Sequence, residues 1–327
     1  MLRRTVFGAL LAVAAAGRGL AAPKPWRAPR TRAGAPELEG TWTNATYTEL
    51  ERPKEFKTLV IGEAEARAWE TKLAPSGGVN VGKDELGQAT SEFPESGSGM
   101  MRIRGEIRSS QIVDPEDGQI PYSEEGKKAA GLGKYRRSAY DHPEQRPQPE
   151  RCLTSEGAGA PIFTAPDTNL LQIVQTPDLI VMVAEKYHDV RVVRLGAGPP
   201  SPALPRSWMG ESWGAWEGET LVVRTAHVRP GVFERGMGLY TSGETKTVER
   251  FTRTAPDEIF YEFAVEDPSL FTRPWRGELL FKTSPGRIFE YACHEGNYSL
   301  VHILAAARQG RQPEPKVAET ETAKARP

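Results

Sequence analysis

Two histidines define the chemistry open to this chain. His294 ends residues 287–294 (RIFEYACH), whose alternation, read as a strand, puts Phe289, Tyr291 and Cys293 on one face and Glu290 and His294 on the other. A histidine held beside a carboxylate can serve as general base or acid, since its unperturbed pKa is about 6.5. Residues 259–266 alternate in the same way, with Tyr261 on an apolar face opposite Glu262, and residues 247–254 put Arg250 beside Val248 and Thr252. Two arrangements follow. In the ordinary one the apolar faces point inward and the charged faces meet solvent. In the other, a barrel has a polar lumen in which Glu262, Glu290, His294 and Arg250 surround a ligand.

His188 follows Lys186 and Tyr187 at a strand junction, where loops place functional groups, and a surface His beside a turn-forming Asp189 is its plainer reading. Arg191 and Arg194 lie three apart on the next strand and face opposite sides, which argues against a paired anion clamp. Trp208, Trp213 and Trp216 form an aromatic cluster of core or ligand-binding type, although Trp213 has the opposite parity. Tyr261, Glu262 and Tyr298 join them as candidate ligand contacts. His302 falls off the apolar stripe of its helix and reads as solvated. The five His are scattered singly, so a metal site would need His188 and His294 to converge, and no metal or cofactor is expected.

Positioning these groups requires an exported, turn-rich domain. Arg3 and Arg4 precede an apolar run, residues 6–16, and then small residues, so residues 1–21 read as a signal peptide. The Sec route is favoured over twin-arginine export because Leu2 stands where a small polar residue is preferred. Without that segment the chain has 39 basic and 43 acidic groups, a net charge of −4, and nucleic acid is not the expected partner. No stretch approaches a membrane-spanning length, and oligomeric state has no signature. The two cysteines, Cys152 and Cys293, make one disulfide in an oxidising compartment, with two buried thiols as the alternative.

The elements are short. Residues 22–37 form a flexible N-terminus, and a single β-rich domain spans 38–310, with long loops at 75–100 and 141–165 and a disordered tail at 311–327. Helices are expected at 62–72 and 123–130, the latter capped by Ser123. Strands are expected at 101–114, 170–176, 179–185, 190–195, 208–216, 220–225, 247–254, 259–266, 277–283 and 287–294, an antiparallel meander forming a barrel, half-barrel or sandwich. Leu300, Ile303, Leu304 and Ala307 recur at helical spacing, and that helix is expected to close the core.

Gly40-Thr41-Trp42 resembles the opening strand of lipocalin-type barrels, in which the Trp plugs the closed end. RPQPERCLTSEG at 146–157, NLLQIVQTPDLIVMVAEKYHDVRVVRL at 169–195, WMGESWGAWEGETLVV at 208–223 and YACHEGNYSL at 291–300 are together similar to the motifs of a family of secreted bacterial proteins of unknown function, typical of soil-dwelling bacteria. This resemblance implies export and kinship without a mechanism. The expected function is binding of a small, fairly apolar molecule in the periplasm. The alternatives are an acid-base hydrolase, lyase or isomerase using His294 or His188 with neighbouring Glu and Arg, and a structural protein of an assembly.

Overall fold

The computed structural model describes residues 26–73, 82–83, 89–90, 99–136, 140, 142–146, 148–154, 159–164, 169–199, 201, 204–232 and 240–309. The expected signal peptide, the C-terminal tail and most of the loop at 75–100 lie outside these residues.

Nine strands close into a barrel: β1 Gly40–Thr43, β2 Leu170–Gln175, β3 Leu179–Ala184, β4 Val190–Leu195, β5 Glu211–Glu217, β6 Thr220–Ala226, β7 Lys246–Ala255, β8 Glu258–Glu266 and β9 Trp275–Thr283. Each pairs with the next, and β1 pairs with both β2 and β9, which removes the open edges. All pairings are antiparallel except β4 with β5, where Val193 lies beside Ser212 and Leu195 beside Gly214. The barrel is therefore mixed, and the Pro-rich connection at 196–210 makes the crossover that a parallel pair needs.

Period-2 alternation produces this wall. Phe251 on β7, Ile259, Tyr261 and Phe263 on β8, and Trp275, Leu279 and Phe281 on β9 are buried in one core with Ile180, Met182, Val193, Leu221 and Val223. At the end marked by the β7–β8 hairpin, Trp42 is buried and its indole Nε1 donates to the Leu38 carbonyl at 3.0 Å. The Arg253 guanidinium lies 5.4 Å from the Trp42 ring and donates to the Glu37 and Pro256 carbonyls, sealing that end. Residues 26–37, expected as flexible, bend back so that Arg30 bridges Pro36, and Gln175 holds the Pro36 carbonyl.

Among the described residues, three α-helices lie outside the barrel. Helix α1, Glu63–Leu73, buries Ala66 and Trp69 in a small separate cluster with Phe56, Ile61 and Ile107. Helix α2, Glu124–Arg136, is capped by Ser123, whose hydroxyl accepts the Gly126 N–H at 3.0 Å. Helix α3, Tyr298–Arg308, is capped by Asn297 and is the expected C-terminal helix. It does not close the core. Leu304 is its only buried residue, and Tyr298, Val301 and Ile303 are exposed, because a barrel closed by its own strands leaves no open face to cover.

Two expected strands differ. Residues 101–114 split into short strands at Arg102–Ile103, Glu106–Arg108 and Ile112–Asp114, broken by Arg104 and Gly105 at positive φ. Residues 287–294 form no strand. The ladder position beside β9 is already taken by β1 and Ile112–Asp114, and two N–H groups of residues 287–294, a strap across the barrel end, find side chains instead. Phe289 N–H donates to the Glu185 carboxylate at 3.0 Å and Tyr291 N–H to His188 Nε2 at 2.7 Å.

Candidate functional site

Polar and irregular features gather at the barrel end opposite the β7–β8 hairpin, in three layers. The innermost is a charged network on the inward faces of five strands, β4 to β8. Arg191 on β4 and Glu249 on β7 pair through two hydrogen bonds, and their side chains are 1% and 0% exposed. Arg191 Nε donates to Ser212 Oγ at 3.0 Å and its Nη2 to Thr225 Oγ1 at 3.1 Å. The Tyr261 hydroxyl donates to Glu249 Oε1 at 2.7 Å. Burial first, and then the neighbouring Glu249 carboxylate, holds the Tyr261 phenol well above its ordinary range, so it remains a donor.

The second layer is residues 159–164, which run across the opening. Ile162 N–H donates to the Tyr261 hydroxyl at 2.9 Å, and the Gly159 carbonyl accepts from Arg191 Nη1 at 3.2 Å. The Phe163 ring lies parallel to Trp275 at 6.4 Å and edge-on to Phe263 at 5.6 Å, while Asn44 Nδ2 donates to its carbonyl. The barrel is thus filled below by its own side chains and corked above by this segment.

The third layer is an external groove of about 700 Å³ between the strap at 290–297, the start of α3 and the loop around Arg146. Its lining includes Tyr140, Arg146, Glu290, Tyr291, Leu300 and Ile303. Arg146 is buried against Glu150 at 2.7 Å and lies 4.2 Å from the Tyr140 ring. The Cys152–Cys293 disulfide, with Cα atoms 5.7 Å apart, ties the loop to the strap. Thr154 adds a second tie to the barrel, its hydroxyl donating to buried Asp189 at 2.8 Å.

His188 stands beside this groove. It and Tyr187 both have left-handed φ, 52° and 61°, a conformation that costs energy in non-glycine residues and aims their side chains at the strap. The Tyr187 and Tyr291 rings are 4.9 Å apart. Since His188 Nε2 accepts the Tyr291 N–H, the ring proton in this arrangement sits on Nδ1.

The expected residues are thus only partly brought together. His188, the Glu290–Tyr291 step and the disulfide share one end of the molecule. His294 is exposed and does not line the groove. Arg250 is on the outer wall, bonded to Glu217 at 3.0 Å, with Glu262 beside it on the neighbouring strand. The interior is not the polar lumen expected around Glu262, Glu290, His294 and Arg250: it is an apolar core holding one buried network of Arg191, Glu249, Ser212, Thr225 and Tyr261. Trp216 packs on the core, Trp213 takes the opposite face of β5, and Trp208 lies under the Arg229 guanidinium at 4.6 Å, so the three indoles form no common surface. Tyr298 is 71% exposed.

Ser212 was not among the expected site residues, yet it stands in Gly210-Glu211-Ser212-Trp213-Gly214, the letter pattern of a hydrolase nucleophile elbow. It lies within β5 rather than on a strand-to-helix turn, is buried, and bonds to Arg191 and Thr225, so the match marks no exposed nucleophile. Among the described residues, no three His, Cys, Asp or Glu side chains are grouped to hold a metal ion, and no helix is long and apolar enough to cross a membrane. Compared with known protein families, curated proteins and solved structures, the chain matches none.

Proposed function

We propose that the protein is an exported, periplasmic barrel that binds a small amphiphilic molecule in the external groove. The groove itself carries this reading. Its volume of about 700 Å³ suits a small ligand, and Tyr140, Tyr291, Leu300 and Ile303 offer aromatic and aliphatic area. Glu290 and Glu295 line it without an ion-pair partner among the described residues, whereas the charge of Arg146 is already met by Glu150. Polar handles beside apolar area fix a ligand's orientation. Export is supported by the leader-like residues 1–21, by the disulfide and by the motifs resembling secreted bacterial proteins.

The test is to purify the protein from its native compartment, denature it and identify released small molecules by mass spectrometry. A stoichiometric species is expected, reduced at least tenfold in Tyr291→Ala. Recovery of equal amounts from both proteins would place the ligand elsewhere, and recovery of none would remove the reading.

A further inference from the structure

We propose that residues 159–163 occupy a second, internal binding site, and that this site takes a compact apolar or aromatic molecule carrying an amide, such as a short peptide or an N-acyl amino acid amide. The site is separate from the external groove.

The segment is held as a ligand would be. Among the described residues, it makes no backbone-to-backbone hydrogen bond to a barrel strand. It offers one carbonyl, of Gly159, to the Arg191 guanidinium and one N–H, of Ile162, to the Tyr261 hydroxyl. It places one ring, of Phe163, against Trp275 and Phe263, and its next carbonyl meets Asn44. Among the described residues, Arg191 also bonds to Ser212, Thr225 and Glu249, and Tyr261 to Glu249, all on the strands themselves. The barrel wall therefore presents a donor, a hydroxyl acceptor and an aromatic slot to whatever fills its mouth. Thr247, on the same inward face as Glu249, adds a buried hydroxyl without a hydrogen-bond partner among the described residues. An ion pair in an apolar interior has a large desolvation cost, and packed hydrophobic side chains serve stability as well or better. A binding wall for an amide gives that pair a use which packing alone does not.

The experiment has two arms. Native-state hydrogen exchange on the intact protein reads whether the segment lifts: the Ile162 amide is expected to exchange about 100-fold or more faster than the Phe260 and Leu279 amides of the barrel, with little dependence on low denaturant. The second arm replaces residues 159–163 with Gly-Ser-Gly-Ser-Gly and titrates in the synthetic peptide acetyl-Gly-Ala-Pro-Ile-Phe-amide. The variant is expected to bind one equivalent, about tenfold more weakly when Tyr261→Phe is added, and unchanged when the groove variant Tyr291→Ala is added. A folded variant that ignores millimolar peptide overturns the proposal. So does an Ile162 amide that exchanges only with global unfolding, and this reading decides the matter if the replacement does not fold.

Discussion

Arg191 and Glu249, 58 residues apart in sequence, form a doubly hydrogen-bonded ion pair inside an otherwise apolar barrel. Neither charge reaches solvent, so each depends on the other. Glu249→Gln leaves the Arg191 charge uncompensated and is expected to cost about 3–5 kcal/mol in urea unfolding, whereas Arg191→Met with Glu249→Met is expected to cost less than either single change. A cost below about 1 kcal/mol for Glu249→Gln would mean that water or another group already compensates Arg191.

The disulfide joins two irregular segments rather than two strands, and spans 141 residues. Cys152→Ser with Cys293→Ser is expected to lower stability by roughly 3–5 kcal/mol on the chain-entropy account. Because β1 and β9 close the barrel without it, far-UV circular dichroism should persist at room temperature. Limited proteolysis should cut first near residues 140–154 and 287–297. Loss of the strand signal itself would show that the barrel needs the bridge.

The wall of the barrel was legible because β7, β8 and β9 bury alternate residues, and Phe251, Tyr261, Phe263 and Leu279 point where a period of two puts them. The lumen's charge was not. Glu249 shares its face with Phe251, and Arg191 with Val193, and a charge on a strand is ordinarily taken as solvent-facing until its partner is seen across the barrel. Residues 287–294 alternate in sequence as a strand does, yet they pair with no strand and Phe289 is 70% exposed. The difference lies in whether a ladder or the side chains of Glu185 and His188 accept their N–H groups, which spacing does not encode. His188 and Tyr291 meet for the same long-range reason.

Acid sensitivity should trace partly to Asp267. Burial alone would raise its pKa, but hydrogen bonds from the Ser242, Thr245 and Ser269 hydroxyls and the Ser242 N–H outweigh this and hold it below the usual carboxylate range. A folded value below the unfolded one near 4 means the contribution is fully present above about pH 4 and is lost as pH falls through the lower folded value. Asp267→Asn is expected to cost about 2–3 kcal/mol at pH 7, and its stability should fall less steeply than that of the parent chain below pH 4. Parallel pH profiles would contradict this assignment.

Gly277 connects the wall to the segment that corks it. A Cβ there would lie 2.2 Å from Phe263 Cζ and 3.0 Å from the Gln111 carbonyl oxygen, so β9 needs glycine at this point for close approach. Phe263 in turn forms one side of the slot holding Phe163. Gly277→Ala should therefore force the Phe263 ring toward Phe163 and Trp275, cost about 1–3 kcal/mol overall as overpacking does, and raise the exchange rate of the Ile162 amide more than that of Leu221 on the far wall. Equal acceleration at both amides would mean that the strain spreads through the whole barrel, and that Phe263 does not by itself govern the fit of residues 159–163.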